Sequence, residues 1–294
     1  MRISDQQIVA MREYQVNASY ERLAQTQHVV STDRKINAPS DDPYGTAVAL
    51  RLQGSLDQNT AFSSAASDTL TWMQTTTTAL SGVRDALTKA RTIAVQGANG
   101  TLTPDELDGL AANIGQLVQQ GIQSANADYA GRYVLGGFQT GKPPFSFDSS
   151  TGTATYNGDN GAMMREISPG VTMQVNTPGS TAVPAALAAM IQLQKDLQSG
   201  NSTAIGGADL TAIDQANDGL LVTEAGVGAG TTRISSLQTT LQTQQTTLKA
   251  QYSNIVDADY AQASIDYNAA EATYQAAITV AGKSVEPSLL SFLK

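Results

Sequence analysis

Asp257-Ala258-Asp259-Tyr260-Ala261-Gln262-Ala263-Ser264-Ile265-Asp266-Tyr267-Asn268-Ala269-Ala270-Glu271-Ala272-Thr273-Tyr274-Gln275-Ala276-Ala277 is the stretch on which the reading of the chain turns. Tyr260, Tyr267 and Tyr274 recur every seven residues, and Ala263, Ala270 and Ala277 follow each of them by three. Such a repeat places one narrow stripe of bulky and small apolar residues along one side of a helix. A stripe that narrow suits packing against another long helix rather than against a thick core. Beyond it lie Leu289, Leu290, Phe292 and Leu293, an apolar cluster that reads as contacts with neighbouring subunits.

The first thirty residues mirror this run. Val9, Val16, Leu23 and Val30 also recur every seven residues, and a narrow-seamed helix is expected from about Ile8 to Thr32. The two seams are natural partners, so the two end segments are expected to pack together. Between them, Asn37-Ala38-Pro39-Ser40-Asp41-Asp42-Pro43 is a strong helix breaker, with Asp41 or Asp42 placed to cap the next helix. From Tyr44 to about Gln96 the helical pattern resumes through Met73, Thr76, Leu80, Val83, Leu87, Ala90 and Ala94. Thr103-Pro104-Asp105-Glu106 starts another helix as a capping box with proline in its first turn. Helix returns at Pro184, a loop is expected over Ser199–Gly207, and a last long helix over Leu210 onward carries Ile234, Leu241, Leu248 and Ile255. At Ile255–Tyr260 the heptad spacing slips to five, which predicts a change of packing partner within continuous helix.

From Phe145 to Thr177 the period changes to short alternating runs: Phe145–Phe147, Ala154–Tyr156, Glu166–Ile167 and Val171–Val175, with turn residues between them. The expected fold class is therefore mainly α. It is an elongated bundle of long helices with coiled-coil-like terminal helices and a small antiparallel β insertion. The corresponding division is a terminal assembly domain (1–43 and 257–294), a helical bundle domain (44–140 and 184–256) and a β-rich outer domain (141–183).

The composition removes several function classes. The chain has 294 residues and a formal net charge of −9, which disfavours nonspecific attraction to nucleic acid or anionic lipid. It has no cysteine, hence no disulfide framework and no thiolate metal site. There is no apolar run of transmembrane length, and MRISDQQIVAMREYQ lacks the apolar segment of a cleavable signal. Export, where it occurs, is expected by a route that reads no such signal. His28 is the only histidine, so no histidine-based catalytic or metal triad is expected. Gly226-Val227-Gly228-Ala229-Gly230 loosely matches a dinucleotide loop, but no strand precedes it and no βαβ unit surrounds it. Asp257 and Asp259 read as a helix cap or solvated face rather than a cation site. No cofactor, metal or catalytic residue is expected.

Several segments together resemble the bacterial flagellin superfamily. Ser31-Thr32, Ile36-Asn37 and Ser40-Asp41-Asp42-Pro43 look like the turn after that family's first helix. Ala94-Val95-Gln96-Gly97-Ala98-Asn99-Gly100-Thr101 and Val256-Asp257-Ala258-Asp259-Tyr260-Ala261 resemble two further family segments. Met1-Arg2-Ile3-Ser4, Gly131-Arg132-Tyr133-Val134-Leu135-Gly136-Gly137, Pro143-Pro144-Phe145 and Ser288-Leu289-Leu290-Ser291-Phe292-Leu293 are similar to its hook–filament junction branch, although Leu135 stands where an aromatic is commoner.

The resemblance implies a structural role outside the cell, at the hook–filament junction of the flagellum. It implies export by the flagellar type III apparatus and assembly through the terminal helices. The implied partners are other copies of the same chain in a ring-like zone, flagellin on the distal side and the first hook-associated protein on the proximal side. An export chaperone on the C-terminal helix is implied as well. The alternatives are a minor flagellin that polymerises into the filament itself, an enzyme, and a secreted helical adhesin or effector.

Overall fold

A computed structural model of the chain describes residues 5–148, 151–180 and 182–283. Helix α1 spans Asp5–Thr32, α2 Pro43–Gly97, α3 Pro104–Ala125, α4 Ala182–Gln198, α5 Ser202–Ala204, α6 Leu210–Val256 and α7 Tyr260–Lys283. The class is mainly α, as the periodicities require. Two compact units are formed: Met1–Asn59 with Thr243–Lys294, and Thr60–Gln242.

The second unit holds the main core. Every seam residue expected of α2 there, from Met73 through Thr76, Leu80, Val83 and Leu87 to Ala90 and Ala94, is buried. Ala111, Ile114, Val118 and Ala125 of α3 and Leu187, Met190, Leu193 and Leu197 of α4 fill the same cluster. Their spacing at three and four residues puts them on single helix faces. Two ion pairs join α2 to α6 at the rim: Arg84 to Glu224 at 3.2 Å and Arg91 to Asp214 at 2.7 Å. The capping box forms as expected: the Glu106 amide donates to Thr103 Oγ1, and the Thr103 amide donates to Glu106 Oε2 at 2.8 Å. The Thr103 amide and then the Thr103 hydroxyl, both donating to Glu106 Oε2, hold that carboxyl below the ordinary glutamate value.

Among the described residues, six short strands pair as three separate antiparallel hairpins. They are β1 (Asp128–Tyr129) with β2 (Arg132–Tyr133), β3 (Phe145–Asp148) with β4 (Thr153–Tyr156), and β5 (Met164–Ser168) with β6 (Val171–Gln174). The β1–β2 hairpin was not expected. Its turn, Ala130-Gly131, takes positive φ at both residues, 51° and 75°, and only Gly131 signals that in sequence. Asn126 splices the second hairpin to the end of α3. Its Nδ2 donates to the Phe145 carbonyl at 2.8 Å, and its Oδ1 accepts from the Phe145 amide at 2.9 Å.

Two expectations are corrected. The loop expected over Ser199–Gly207 is shorter. Asn201 caps α5, and a π-helical turn, Ile205–Asp209, leads directly into α6. Ile205 is fully buried and anchors that turn despite Gly206 and Gly207. The slip at Ile255–Tyr260 is a break in the helix, not a shift within one. Asp257 bridges to Arg34, and Asp259 starts α7 by accepting from the Ala261 and Gln262 amides at 3.0 and 3.2 Å.

Candidate assembly surface

In the first unit, α1 packs on α7. The helices run antiparallel: Arg34 bridges Asp257 at one end, and further along Tyr20 meets Tyr274 with ring centroids 5.7 Å apart. On α7, Ala263 and Ala270 are buried, while Tyr267, Tyr274 and Ala277 are half-buried. Ala281 continues this row. Tyr260 stands outside it, 62% exposed, because it occupies the first position of α7. On α1, Val16, Leu23 and Val30 are half-buried, while Val9 is exposed. Leu289, Leu290, Phe292 and Leu293 lie outside the described residues.

The seam of α1 also contains residues that an apolar pattern does not reveal. Arg12, Ser19 and Thr26 are half-buried and complete a regular alternation with Val16, Leu23 and Val30. Ser19 and Thr26 can sit there because their hydroxyls donate back to their own helix, to the carbonyls of Val16 at 2.9 Å and Leu23 at 3.0 Å. Serine and threonine at three- and four-residue spacing between the valines were the available signal.

Below the helix pair, two connectors lock together. The Lys35 amide donates to the Val256 carbonyl at 2.8 Å, the Ala258 amide to the Asp33 carbonyl at 3.0 Å, and Lys35 Nζ to the Asn254 carbonyl at 2.7 Å. Asp33 takes φ 56°, a left-handed conformation that stops α1 and turns the chain. Asp41 and Asp42 divide the capping work. Asp42 Oδ1 accepts from the Gly45 amide at 2.9 Å and caps α2, while Asp41 Oδ2 accepts from the amides of Ala38 and Asn37 at 2.8 and 2.9 Å. These amide bonds hold the Asp41 carboxyl below the ordinary aspartate value, Ala38 contributing most.

Among the described residues, both helices leave a second set of apolar side chains exposed. On α1, Met11 and Tyr14 are exposed, as is Ala18 one turn on. On α7, Ile265, Ala269, Ala272, Ala276 and Val280 are exposed along one side. A helix apolar on two sides has room for two partners, and among the described elements α1 and α7 supply one to each other.

The pattern of the bacterial flagellin N-terminal helical region matches residues 3–140, and that of the bacterial flagellin C-terminal helical region matches residues 210–293. The chain belongs to the bacterial flagellin family. Within that family, it is 28% identical to flagellar hook-associated protein 3 of Salmonella typhimurium over 61% of this chain and 56% of that one. It is 33% identical to the Escherichia coli protein of that name over 40% of this chain and 37% of that one. It is also 33% identical to the flagellin of Salmonella muenchen over 36% of this chain and 21% of that one. The chain thus spans about half or less of the curated relatives it matches. Two solved structures share the fold of this flagellin-family chain. A flagellar hook-associated protein from Vibrio parahaemolyticus aligns with TM-score 0.67 at 21% identity, over 74% of this chain and all of that one. FlgL of Bacillus cereus aligns with TM-score 0.62 at 24% identity, over 69% of this chain and 99% of that one. The relatives are flagellar structural proteins, not enzymes. Among the described residues, no group of three or more metal-ligating side chains gathers, and no helix is long and apolar enough to cross a membrane. Gly226–Gly230 lies inside α6.

Proposed function

We propose that this protein is a structural subunit of the bacterial flagellum that forms the junction between hook and filament. The observation that carries the reading is the uncovered apolar face of α1 and α7, Met11 and Tyr14 on one and Ile265 and Val280 on the other. Covering that face with neighbouring copies adds roughly 1.5–3 kcal/mol for each large apolar side chain fully buried. The likeness to hook-associated protein 3 supports the location. In this reading, the segments 1–43 and 257–294 are the assembly zone, 44–140 with 184–256 the supporting bundle, and 141–183 the outer part. The seam residues Val16, Leu23, Val30, Ala263, Tyr267, Ala270, Tyr274 and Ala277, and the exposed Val9 and Tyr260 beside them, serve assembly, together with Leu289, Leu290, Phe292 and Leu293. The subunit passes through the flagellar export apparatus, with a chaperone on its C-terminal helix. It then orders its terminal helices on joining other copies, the first hook-associated protein and flagellin. A short α1–α7 seam suits that sequence, because such helices gain little before they are packed.

The test is to make Tyr267 and Tyr274 serine together and to label the protein by antibody on cells. Filaments lost from hooks, with the unaltered protein labelling the hook end, are the expected result. Normal filaments in the double variant overturn the assembly role. A second reading, a minor flagellin, is favoured by the flagellin relatives. Sustained growth of purified protein on filament fragments decides for it.

A further inference from the structure

In the second unit, a cavity of about 340 Å³ opens between α2, the β1–β2 hairpin and the β5–β6 hairpin. That volume is within the range of small-ligand sites, roughly 300–1,000 Å³. Two guanidinium groups face it from different hairpins, Arg132 of β2 and Arg165 of β5. Each is held in place by groups that leave its charge unmatched. Arg132 lies over the ring of Trp72 at 5.5 Å and donates through Nε to Thr140 Oγ1 at 3.2 Å. Arg165 donates through Nη1 to the Ala65 carbonyl at 3.3 Å and to Thr69 Oγ1 at 3.1 Å. Among the described residues, the ion pairs are Arg84–Glu224 and Arg91–Asp214, so neither of these arginines has a carboxylate partner. Arg132 keeps Nη1 unused, and Arg165 keeps Nε and Nη2 unused. Trp72, only 8% exposed, also lines the cavity, and its Nε1–H has no hydrogen-bond partner. Tyr129 meets the indole in an edge contact, with ring centroids 6.4 Å apart.

Buried donors without acceptors are uncommon, because each forgoes the hydrogen bonds it had in water, and Trp72 Nε1–H is one; Arg132 is exposed and Arg165 half-buried, so their remaining N–H groups stay open to water and to an incoming ligand. Guanidinium edges fixed by stacking and by backbone carbonyls suit a planar anion with two acceptor oxygens. The geometry points to this cavity as a binding site for a carboxylate group, held between Arg132 and Arg165 beside Trp72. The carboxylate comes either from an acidic side chain of a neighbouring protein subunit or from a free organic acid. Among the described residues, Asp68 is the only carboxylate lining the cavity, and it is exposed. It opposes the incoming group and weakens the binding.

Trp72 is the only tryptophan in the chain, so intrinsic indole fluorescence of the full-length protein reports on this cavity alone. The protein is titrated at fixed ionic strength with succinate, with hexaglutamate peptide, with succinamide and with sodium chloride. Saturable fluorescence change with succinate or hexaglutamate, absent with succinamide and chloride, is the expected result. A response to both, or to succinate alone, assigns the site to a free acid. A response to hexaglutamate alone assigns it to protein-borne carboxylates. Arg165→Gln weakens the binding by about tenfold or more, the usual cost of losing a charged hydrogen-bonding partner, with an unchanged circular dichroism spectrum. Asp68→Asn, which leaves the arginines in place, tightens it severalfold. No response to either carboxylate probe, or equal responses in the Arg165→Gln protein, overturns the proposal.

Discussion

The backbone amide of Lys35 donates to the carbonyl of Val256 at 2.8 Å, joining two connectors 221 residues apart in sequence. The bond closes the base of the α1–α7 pair, beside the Arg34–Asp257 bridge. Proline at position 35 removes the donor. Lys35→Pro is expected to cost about 1 kcal/mol through this bond alone. Amide hydrogen exchange checks it, with faster exchange in α1 and α7 and unchanged protection in α3 and α4. Uniform loosening of both units contradicts the clip.

The tyrosine row of α7 divides into seam and surface members. Tyr267→Ala removes a half-buried ring and is expected to destabilise the helix pair by about 1–2 kcal/mol. Tyr260→Ala is expected to stay within about 0.5 kcal/mol, since that ring is 62% exposed. Urea unfolding followed by helical circular dichroism on each variant measures the contrast. Equal effects contradict the observed register.

Gly137 has φ +69°, and a methyl group there runs into the backbone of Asp159. The same aspartate ties the loop together, its Oδ1 accepting from the amides of Phe138 and Gly161 at 2.8 Å each. Gly137→Ala is expected to cost about 2 kcal/mol or more. Gly219→Ala, in α6 with open space around it, is expected to be neutral or to stabilise by up to about 1 kcal/mol. Thermal melts of the two alanine variants separate a required glycine from an incidental one.

Asp209 closes the π-helical turn, 3% exposed, and its Oδ2 lacks a hydrogen-bond partner. Burial, with added repulsion from Asp196, raises its carboxyl to about 6 from the ordinary 3.8. The folded state therefore holds this proton more tightly than the unfolded state. The resulting stabilisation is complete below about pH 4, declines as pH rises through about 6, and is gone above it. Over that window, it is on the order of 3 kcal/mol. Asp209→Asn is expected to lose this decline, so the variant gains on the parent between pH 4.5 and pH 7.5. Denaturant melts at both values check it, and a constant difference between the two proteins contradicts the assignment.

The helices of this protein were legible because their determinants are local. The Thr103–Glu106 capping box, the proline at the start of α2 and the α2 spacing Met73–Ala94 act within a few residues of themselves. The heptad rows on α1 and α7 likewise made their pairing an expectation. The place of polar residues in the seam was carried only by their spacing between Val16, Leu23 and Val30. Ser19 and Thr26 look like surface residues until their hydroxyls turn back to the helix.

The sequence by itself determined that the chain is mainly helical, where most helices begin and which faces are apolar, since periodicity and capping are properties of short segments. The tertiary structure decided the rest. It broke the helix at Asp257–Asp259, because the connector carrying Lys35 takes up the freed backbone groups there. It split the β insertion into hairpins and carried the last helix back through a π-turn anchored by the buried Ile205. It also placed Trp72, Arg132 and Arg165 around one cavity. These are long-range pairings set by packing, and no local pattern in the chain encodes them.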